Sequence, residues 1–468
     1  MTATRIEDDS IGAMEIPGDA AYGIHTARAV DNFPITGMLL RHYPELIRSL
    51  ALTKKAAALA NMELGVLEQR LGGAIVRACD RVFAGEADRH FVVDMLQGGA
   101  GTSTNMNANE VIANFALREL QRPAGDYKTI HPNDHVNLSQ STNDVYPTAV
   151  RLTMLREVPS LIAAQDSLRG ALFAKADEFH DVIKVGRTQL MDAVPMRLGS
   201  EFRAFGVTIG EDIDRLREFS GLLREINLGG TAIGTGINTP PNYSATVIGH
   251  LAEISGVALV PAGDLIEATS DMGAFVTFSG VLKRIAVKLS KMCNDLRLLN
   301  SGPRAGFGEI RLPAVQAGSS IMPGKVNPVI PEVINQIAYQ VIGNDLTVTM
   351  AAEAGQLQLN AMEPVIVLNI LQSMRMLTRG MGVLQHKCIV GIEADRERCQ
   401  ELLEHSLVAV TAINPYVGYT EASRVAKAAL KTRRSIRDVV LAEGLMTEAQ
   451  LAEAFAVENL LGRPSNKS

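Results

Sequence analysis

Long stretches of the chain repeat apolar residues at steps of three and four, which is the spacing of a helix that packs along another helix. The clearest stripe predicts a single helix over 268–300, which would span about 50 Å at the standard rise per residue. Its apolar residues are Phe275, Phe278, Leu282, Ile285, Leu289, Met292, Leu296 and Leu299. One compact domain does not need a helix of this length, so the stripe predicts partner helices of similar length.

Three further segments repeat this spacing and predict more long helices. They carry, in turn, Phe202, Phe205, Ile209, Ile213, Leu216, Phe219, Leu223 and Ile226; Leu161, Leu168, Leu172 and Phe179; and, beginning after Pro331, Val333, Ile334, Ile337 and Val341. Tryptophan is absent and aromatic residues make up 4% of the chain, so aliphatic side chains must fill most helix contacts. The pattern predicts a mainly α fold around a long central helical bundle.

Glycine-rich segments at 97–103, 229–236 and 318–328 separate the predicted helices. Near the end of the chain, Gly444 should stop one helix, and Thr447 with Gln450 should form a capping box for the next. The part before the bundle is richer in proline, asparagine and histidine. We therefore predict three domains: a mixed but mostly helical N-terminal domain over 1–141, the long-helix domain over 142–397, and a small helical domain over 398–468.

The composition narrows the class of protein. Of the 468 residues, 47% are apolar and 21% charged, as is usual for a folded globular chain. The net charge is −6 and no basic run occurs, so we expect no nucleic-acid partner. The N-terminus is polar, and the longest apolar stretch, about 365–371, is too short for a membrane span. The cysteines, Cys79, Cys293, Cys388 and Cys399, form no ligand pair and should be reduced, mostly buried thiols. A cytoplasmic enzyme or assembly protein is expected.

Two motifs give little support for a bound cofactor or metal. Gly234-Thr-Gly236 lacks the third glycine and the preceding strand of a dinucleotide site, so we interpret it as a connection between helices. His131 and His135 are four apart, as metal ligands on a helix would be, but Pro132 and Asn133 argue against a helix there. We expect two hydrogen-bonding histidines, no metal and no cofactor.

Two polar segments have both a structural and a functional interpretation. The cluster from Ser139 to Tyr146 is typical of a helix N-cap, but hydroxyl and N–H groups at a helix start also bind anions. In the segment 318–328, two prolines and two glycines exclude a continuous helix, so its serines, lysine and asparagine should lie on a constrained loop. Lys325 and Asn327 could hold a carboxylate there. The alternative is a simple glycine-serine turn.

The segment Gly318-Ser-Ser-Ile-Met-Pro-Gly-Lys-Val-Asn-Pro-Val-Ile-Pro-Glu332 closely resembles the signature of the aspartase/fumarase superfamily. The segments 98–110, 131–144 and 186–193 resemble the other site segments of that family in the same order, so the resemblance covers nearly the whole chain. Within the family, Gln140-Ser-Thr-Asn-Asp-Val-Tyr-Pro147 and 355–364 resemble the aspartate ammonia-lyase branch most closely. Gln189 stands where fumarases carry histidine, whereas Gly324 is more typical of fumarases.

The resemblance implies reversible elimination of ammonia from L-aspartate to give fumarate, through an enediolate that hydrogen-bond donors must stabilise. It implies that Ser319 is the catalytic base. The substrate-binding residues that it implies are Thr102, Ser141, Thr142 and Ser320 for the enediolate, Lys325 and Asn327 for the α-carboxylate, and Asn143, Thr188 and Gln189 for the amino group. A secondary anion site is implied at Lys128, His131, Asn133 and Asp134.

The family also implies a homotetramer whose central helices form one bundle, with each active site shared by three subunits. Alternatives to the aspartate reaction remain open at this point. The chain could be a class II fumarase acting on L-malate, or a lyase for an N-substituted aspartate. Members of this family also serve as non-catalytic structural proteins, but such a protein would not need Ser319, Lys325 and Asn327 together.

Overall fold

The computed structural model describes residues 4–406 and 408–461, and helices dominate it, as the sequence predicts. The helices are α1 Ile24–Asn32, α2 Pro44–Glu63, α3 Gln69–Phe83, α4 Thr102–Glu119, α5 Thr142–Glu178, α6 Leu198–Ser220, α7 Tyr243–Ser255, α8 Leu265–Ser270, α9 Gly273–Leu299, α10 Val329–Glu353, α11 Glu363–Lys387, α12 Arg396–His405, α13 Ala409–Thr432, α14 Ile436–Ala442, α15 Glu448–Ala454 and α16 Val457–Leu460. Helix α13 is interrupted at Gly418, where φ is +78°. No described helix is long and apolar enough to cross a membrane.

The described strands form short pairs rather than a layer. They are β1 Thr4–Asp9, β2 Gly12–Pro17, β3 Ile183–Thr188, β4 Met191–Arg197, β5 Glu225–Ile226, β6 Val260–Pro261, β7 Ile310–Arg311 and β8 Glu393–Ala394. The pairs β1–β2, β3–β4 and β7–β8 are antiparallel, and β5–β6 is parallel. These pairs fix loop ends and leave the hydrophobic core to the helices.

The predicted apolar stripes form the core. All residues of the stripe from Phe275 to Leu299 are buried, and so are Leu161, Leu168, Leu172 and Phe179. Burying one such side chain contributes about 1.5–3 kcal/mol, so a stripe of this length fixes how a helix is oriented about its own axis. In the fourth segment Ile334 and Val341 are buried, whereas Ile337 is half-buried and Val333 is 39% exposed.

The helix boundaries differ from the predictions in four places. The segment 268–300 is not one helix, because α8 ends at Ser270 and the Asp271 side chain caps the next start by accepting from Gly273 N at 2.8 Å. Helix α6 ends at Ser220 instead of continuing to Ile226. Helix α10 begins at Val329, before Pro331, because proline is tolerated in a first helical turn. The long helix α11 was not predicted.

The chain divides into two compact units. The first comprises residues up to 162 with 214–284 and 339–377, and the second comprises 163–213, 285–338 and the residues from 378 onward. In the first unit, α2 packs against α3 and α7, and α3 packs against α4. In the second, α12 packs against β3 and α13 against α14. The predicted three-domain division remains a prediction.

Several local predictions are confirmed. Gly444 has φ +64° just after α14, and Thr447 with Gln450 forms the capping box of α15. Helices α13 to α15 share an apolar cluster around Ile413, Val425 and Val440. The four cysteines are all buried free thiols. Burial raises the pKa of the Cys388 thiol to about 12, which keeps it protonated and unreactive.

Candidate active site

In the first unit, the starts of α4 and α5 lie side by side. Thr102 is the first residue of α4 and Thr142 the first of α5. One turn into α4, Asn105 donates through Nδ2 to Thr142 Oγ1 at 3.1 Å. Gly101, with φ +89°, lies directly against the buried ring of Tyr146. Two helix N-termini therefore present their partial positive charge at one place, which suits a carboxylate.

The start of α5 confirms the N-cap interpretation. Ser141 Oγ accepts from Asn143 N at 3.2 Å, and Asp144 Oδ1 accepts from Ser141 N at 2.9 Å, so side chains cap this helix start from both directions. Capping uses the acceptor side of the Ser141 hydroxyl, and Asn105 uses the acceptor side of Thr142. Neither hydroxyl donates to another group in the described part of the chain, so capping and anion binding are compatible here. The Thr102 hydroxyl differs, since it donates to Gly99 O at 2.7 Å.

The side-chain amide of Asn143 has a fixed orientation. Its Nδ2 donates to Ala232 O at 2.8 Å, and its main-chain oxygen accepts from Asn227 Nδ2 at 3.0 Å. The nitrogen of the amide is therefore turned toward the glycine-rich segment 229–236. This leaves Oδ1 of Asn143 as an acceptor, which is the group that an ammonium ion needs.

Asp144 joins the start of α5 to the glycine-rich segment. Its carboxylate is fully buried and, besides Ser141 N, accepts from Gly229 N and Thr231 N, each at 3.0 Å. Burial raises the pKa of Asp144 to about 6, while the three N–H donors and the charge of Lys54 oppose that rise. The family motif contains this residue, but its role as a link was not predicted.

A buried lysine lies behind Thr142. Lys54 Nζ donates to Asn137 Oδ1 at 2.8 Å and to Gln140 Oε1 at 3.0 Å, and Asn137 Oδ1 also accepts from Asn105. Burial lowers the pKa of Lys54 to about 7. Sequence reasoning missed this residue, although a signal existed: Lys54 continues the apolar spacing of Ile47, Leu50 and Ala51 on α2. A lysine at a core position of an apolar helix face indicates a buried amino group that must be hydrogen-bonded.

In the second unit, the segment 318–327 forms the predicted non-helical loop. Ser319 Oγ accepts from Met322 N at 2.9 Å and from Ile321 N at 3.3 Å. Two N–H donors on this oxygen favour its deprotonated form. Asn327 Nδ2 donates to Gly318 O at 2.5 Å, and its second N–H has no partner among residues 4–406 and 408–461.

Other features of this loop favour anion binding. A Cβ at Gly318 would lie 2.0 Å from Lys325 O, so only glycine fits there. Lys325 is exposed and forms no ion pair within 4–406 and 408–461, so its ammonium is available to an external carboxylate. Ser320 is exposed beside Ser319.

Thr188 and Gln189 lie at the tip of the β3–β4 hairpin, where both are exposed. The two loop residues, Gln189 and Leu190, have φ +55° and +64°. A two-residue turn of this kind favours asparagine and glycine, so the chain keeps larger side chains at a conformational cost. Leu190 is 65% exposed and Met191 70% exposed, so the tip presents an apolar surface beside its polar groups.

A buried ion cluster anchors this hairpin. Arg187 Nη1 lies 2.7 Å from Glu309 Oε1, and Lys184 Nζ lies 2.9 Å from Glu309 Oε2 and 2.7 Å from Glu201 Oε2. Glu309 is fully buried, and its main-chain nitrogen donates to Leu299 O at 2.9 Å. The cluster joins the hairpin to the residue before β7, ten positions ahead of Ser319. None of these residues was predicted.

The segment that carries His131 differs from its prediction. Pro132–Val136 forms a short π-helical turn rather than a non-helical segment, because the His131 side chain caps it by accepting from Asn133 N and Asp134 N. His135 Nδ1 accepts from His131 N at 2.9 Å, so both histidines serve as hydrogen-bonding groups, as expected. Lys128, Asn133 and Asp134 are exposed around this turn. Within the described ranges, no three His, Cys, Asp or Glu side chains converge as metal ligands.

The predicted substrate-binding residues lie at three places, apart from the turn that carries His131. Thr102, Ser141, Thr142 and Asn143 are brought together at the starts of α4 and α5. Ser319, Ser320, Lys325 and Asn327 share one loop, and Thr188 with Gln189 shares one hairpin tip. The starts of α4 and α5 offer hydroxyl donors and an amide acceptor, and the 318–327 loop offers a serine, an ammonium and an amide. Each of these two places carries groups that suit a carboxylate.

Comparisons with known proteins identify the family of the chain. A family model described as "Lyase" matches residues 12–343, and one described as "Fumarase C C-terminus" matches 410–462. The chain is 59% identical to an aspartate ammonia-lyase of Pseudomonas fluorescens over 98% of its length and 96% of that protein. It is 53% identical to an aspartate ammonia-lyase of Helicobacter pylori, with 98% of each chain covered.

Solved structures are similar over nearly their full lengths. A fumarate lyase:delta crystallin from Brucella melitensis, solved with bound cobalt, has a TM-score of 0.94 at 58% identity and covers 97% of this chain and 98% of its own. A class II fumarase from Schistosoma mansoni has a TM-score of 0.90 at 33% identity, with 97% and 100% covered.

Proposed function

The chain belongs to the aspartase/fumarase superfamily, and from that premise we propose that it is an aspartate ammonia-lyase. It catalyses the reversible elimination of ammonia from L-aspartate to give fumarate. The observation that carries this proposal is an identity to aspartate ammonia-lyases far above that to the fumarase, over almost the whole chain. The acceptor Oδ1 of Asn143 supports it, because an amino group needs an acceptor.

Ser319 removes the proton from Cβ of aspartate in the proposed mechanism. A serine hydroxyl is a weak base, so its alkoxide must be stabilised before it can act. The N–H groups of Ile321 and Met322, which both donate to Ser319 Oγ, supply part of this stabilisation. Proton removal places a second negative charge on the β-carboxylate, and the reaction then depends on donors at that position.

Hydroxyl groups stabilise that enediolate. Ser141 Oγ and Thr142 Oγ1 each accept a hydrogen bond, and neither hydroxyl donates one within the described residues, so both protons can point to the substrate. Ser320 adds a further exposed hydroxyl, and Thr102 joins once its hydroxyl rotates away from Gly99 O. The paired starts of α4 and α5 add the positive ends of two helix dipoles.

The remaining groups hold the ends of the substrate. Lys325 and Asn327 bind the α-carboxylate, for which a point charge and an amide N–H are suited. Asn143, Thr188 and Gln189 surround the amino group that leaves as ammonia. The turn at 131–136, where Asn133 and Asp134 are exposed, is proposed together with Lys128 and His131 as a secondary anion site.

We further propose that the enzyme is a cytoplasmic homotetramer whose active sites combine residues of three subunits. Helix α10 supports this assembly, because Tyr339, Ile342, Leu346 and Met350 follow at helical spacing and are all exposed. Leu346 and Met350 are more than 60% exposed. Free cysteines without disulfides fit a reducing compartment. Leu346→Glu should lower the mass measured by sedimentation; an unchanged tetramer would place the interface elsewhere.

Activity assays test the reaction. Purified protein given L-aspartate should release ammonia and raise the absorbance of fumarate, while L-malate and N-substituted aspartates should react poorly. Ser319→Ala should lower turnover by roughly two to four orders of magnitude and leave the assembly intact. Ser220→Ala, at the end of α6, is the matched control and should be fully active. Malate turnover without ammonia release would assign the chain to the fumarases instead.

A further inference from the structure

The glycine-rich segment 229–236 is hydrogen-bonded to the start of α5, although its sequence predicted only a connection between helices. Gly229 N and Thr231 N both donate to Asp144 Oδ2 at 3.0 Å, and Ala232 O accepts from Asn143 Nδ2 at 2.8 Å. The segment therefore touches two successive residues at the start of α5. One of them is the proposed acceptor for the amino group of the substrate.

Thr231 has an unusual backbone conformation in this segment. Its φ is +54°, in the left-handed region, where a β-branched residue is strongly disfavoured. Gly229, Gly234 and Gly236 also have positive φ, so the segment uses glycine at its other left-handed positions. A threonine kept where glycine would relieve strain indicates that its side chain is needed.

The hydroxyl of Thr231 has no partner within the described parts of the chain. The residue is 4% exposed, and Oγ1 forms no hydrogen bond. A buried polar group without a partner is unfavourable, and so is the left-handed backbone that carries it. Two unfavourable features at one residue, next to Asn143, are typical of a group held ready for a ligand.

We propose that Thr231 is a further substrate-binding residue, whose hydroxyl hydrogen-bonds to the amino group of aspartate and to the departing ammonia. This inference rests on the proposed function. The position follows from the neighbouring residue, because Ala232 O holds the amide of Asn143, whose Oδ1 is the proposed acceptor of that amino group. The hydroxyl can form a hydrogen bond to the amino group, which a hydrophobic side chain of equal shape cannot do.

Thr231→Val tests this inference, because valine keeps the β-branched shape and removes only the hydroxyl. If the hydroxyl served packing alone, its loss would leave kinetics unchanged and raise the melting temperature, since an unsatisfied polar group disappears. If it binds the amino group, kcat/KM for L-aspartate should fall about 10- to 100-fold, which is the range for a hydrogen bond to a charged group. The melting temperature should not fall.

The reverse reaction locates the lost contact. With fumarate and ammonium as substrates, Thr231→Val should raise KM for ammonium far more than KM for fumarate. Thr231→Ser, which keeps a hydroxyl, should restore most of kcat/KM. Thr231→Ala, which also lacks the hydroxyl but is smaller than valine, should show the same kinetic defect. An equal rise of both KM values would overturn the assignment to the amino group.

Thr148→Val is the matched control. Thr148 lies on α5, is fully buried, and has an Oγ1 without a hydrogen-bond partner, as in Thr231. Its replacement should raise the melting temperature and leave kcat/KM unchanged. An active wild type with an equally active Thr231→Val variant overturns this inference alone. A wild type that does not convert aspartate overturns the proposed function, and the inference falls with it.

Discussion

The contact between Gly101 and Tyr146 makes the start of α4 sensitive to a single methyl group. A Cβ at position 101 would lie 2.5 to 2.8 Å from three ring carbons of Tyr146, and the ring is buried on all sides. The backbone at Gly101 also has φ +89°. Gly101→Ala should therefore destabilise the protein in two ways, through the backbone conformation and through the clash.

The size of each contribution can be estimated separately. A left-handed conformation at alanine costs about 1–2 kcal/mol. Forcing extra volume into a packed core costs about 1–3 kcal/mol. The free energy of unfolding should thus fall by about 2–5 kcal/mol. Because Gly101 immediately precedes Thr102, kcat/KM for aspartate should fall as well.

A double-mutant cycle separates the two contributions. In a Tyr146→Ala background the ring is gone, so Gly101→Ala should cost only the ~1–2 kcal/mol of the backbone conformation. Urea denaturation of the wild type, both single variants and the double variant gives the coupling energy. Gly249→Ala is a control, because this helical glycine has open space around it and should become slightly more stable. Equal costs of Gly101→Ala in both backgrounds would refute the clash.

Two further predictions concern the loop and the effect of pH. Gly318→Ala should lower kcat by about 100-fold, because the added Cβ would lie 2.0 Å from Lys325 O and displace the loop. The melting temperature should stay within error. A fully active variant would contradict this geometry. Burial raises the pKa of Glu363 to about 8, against the ordinary 4.5, so the unfolded chain loses this proton first as pH rises. We therefore expect the wild type to lose stability relative to the Glu363→Gln variant between about pH 5 and 8. The difference between their free energies of unfolding should change by up to about 1.4 kcal/mol per pH unit. A difference that does not change with pH would refute the raised pKa.

The long helices could be predicted because their apolar spacing is set by packing. All residues of the stripe from Phe275 to Leu299 are buried, as periodicity predicts. The breaks could not be predicted, since the stop at Ser270 depends on the local cap by Asp271 rather than on periodicity. Helix α11 was missed although it is apolar enough to pack.

The proposed substrate-binding groups could be named from the family motifs, whereas the residues that hold their segments in place could not. Ser319, Lys325 and Asn327 stand in one contiguous segment, which a motif describes well. Lys54 and Glu309 reach the site region only through folding, from residues distant in the chain. Thr231 was missed for another reason, since a glycine-rich segment indicates flexibility and hides a strained side chain.

The backbone at the β3–β4 tip restricts which residues can replace Gln189. Both loop positions require a left-handed backbone, so β-branched replacements at Gln189 are disfavoured whatever their chemistry. Asparagine tolerates that backbone best among amide side chains and is shorter by one methylene. In the proposed role of Gln189 beside the amino group, Gln189→Asn is therefore the replacement that would shorten the side chain for a bulkier amine and relax the turn in one step.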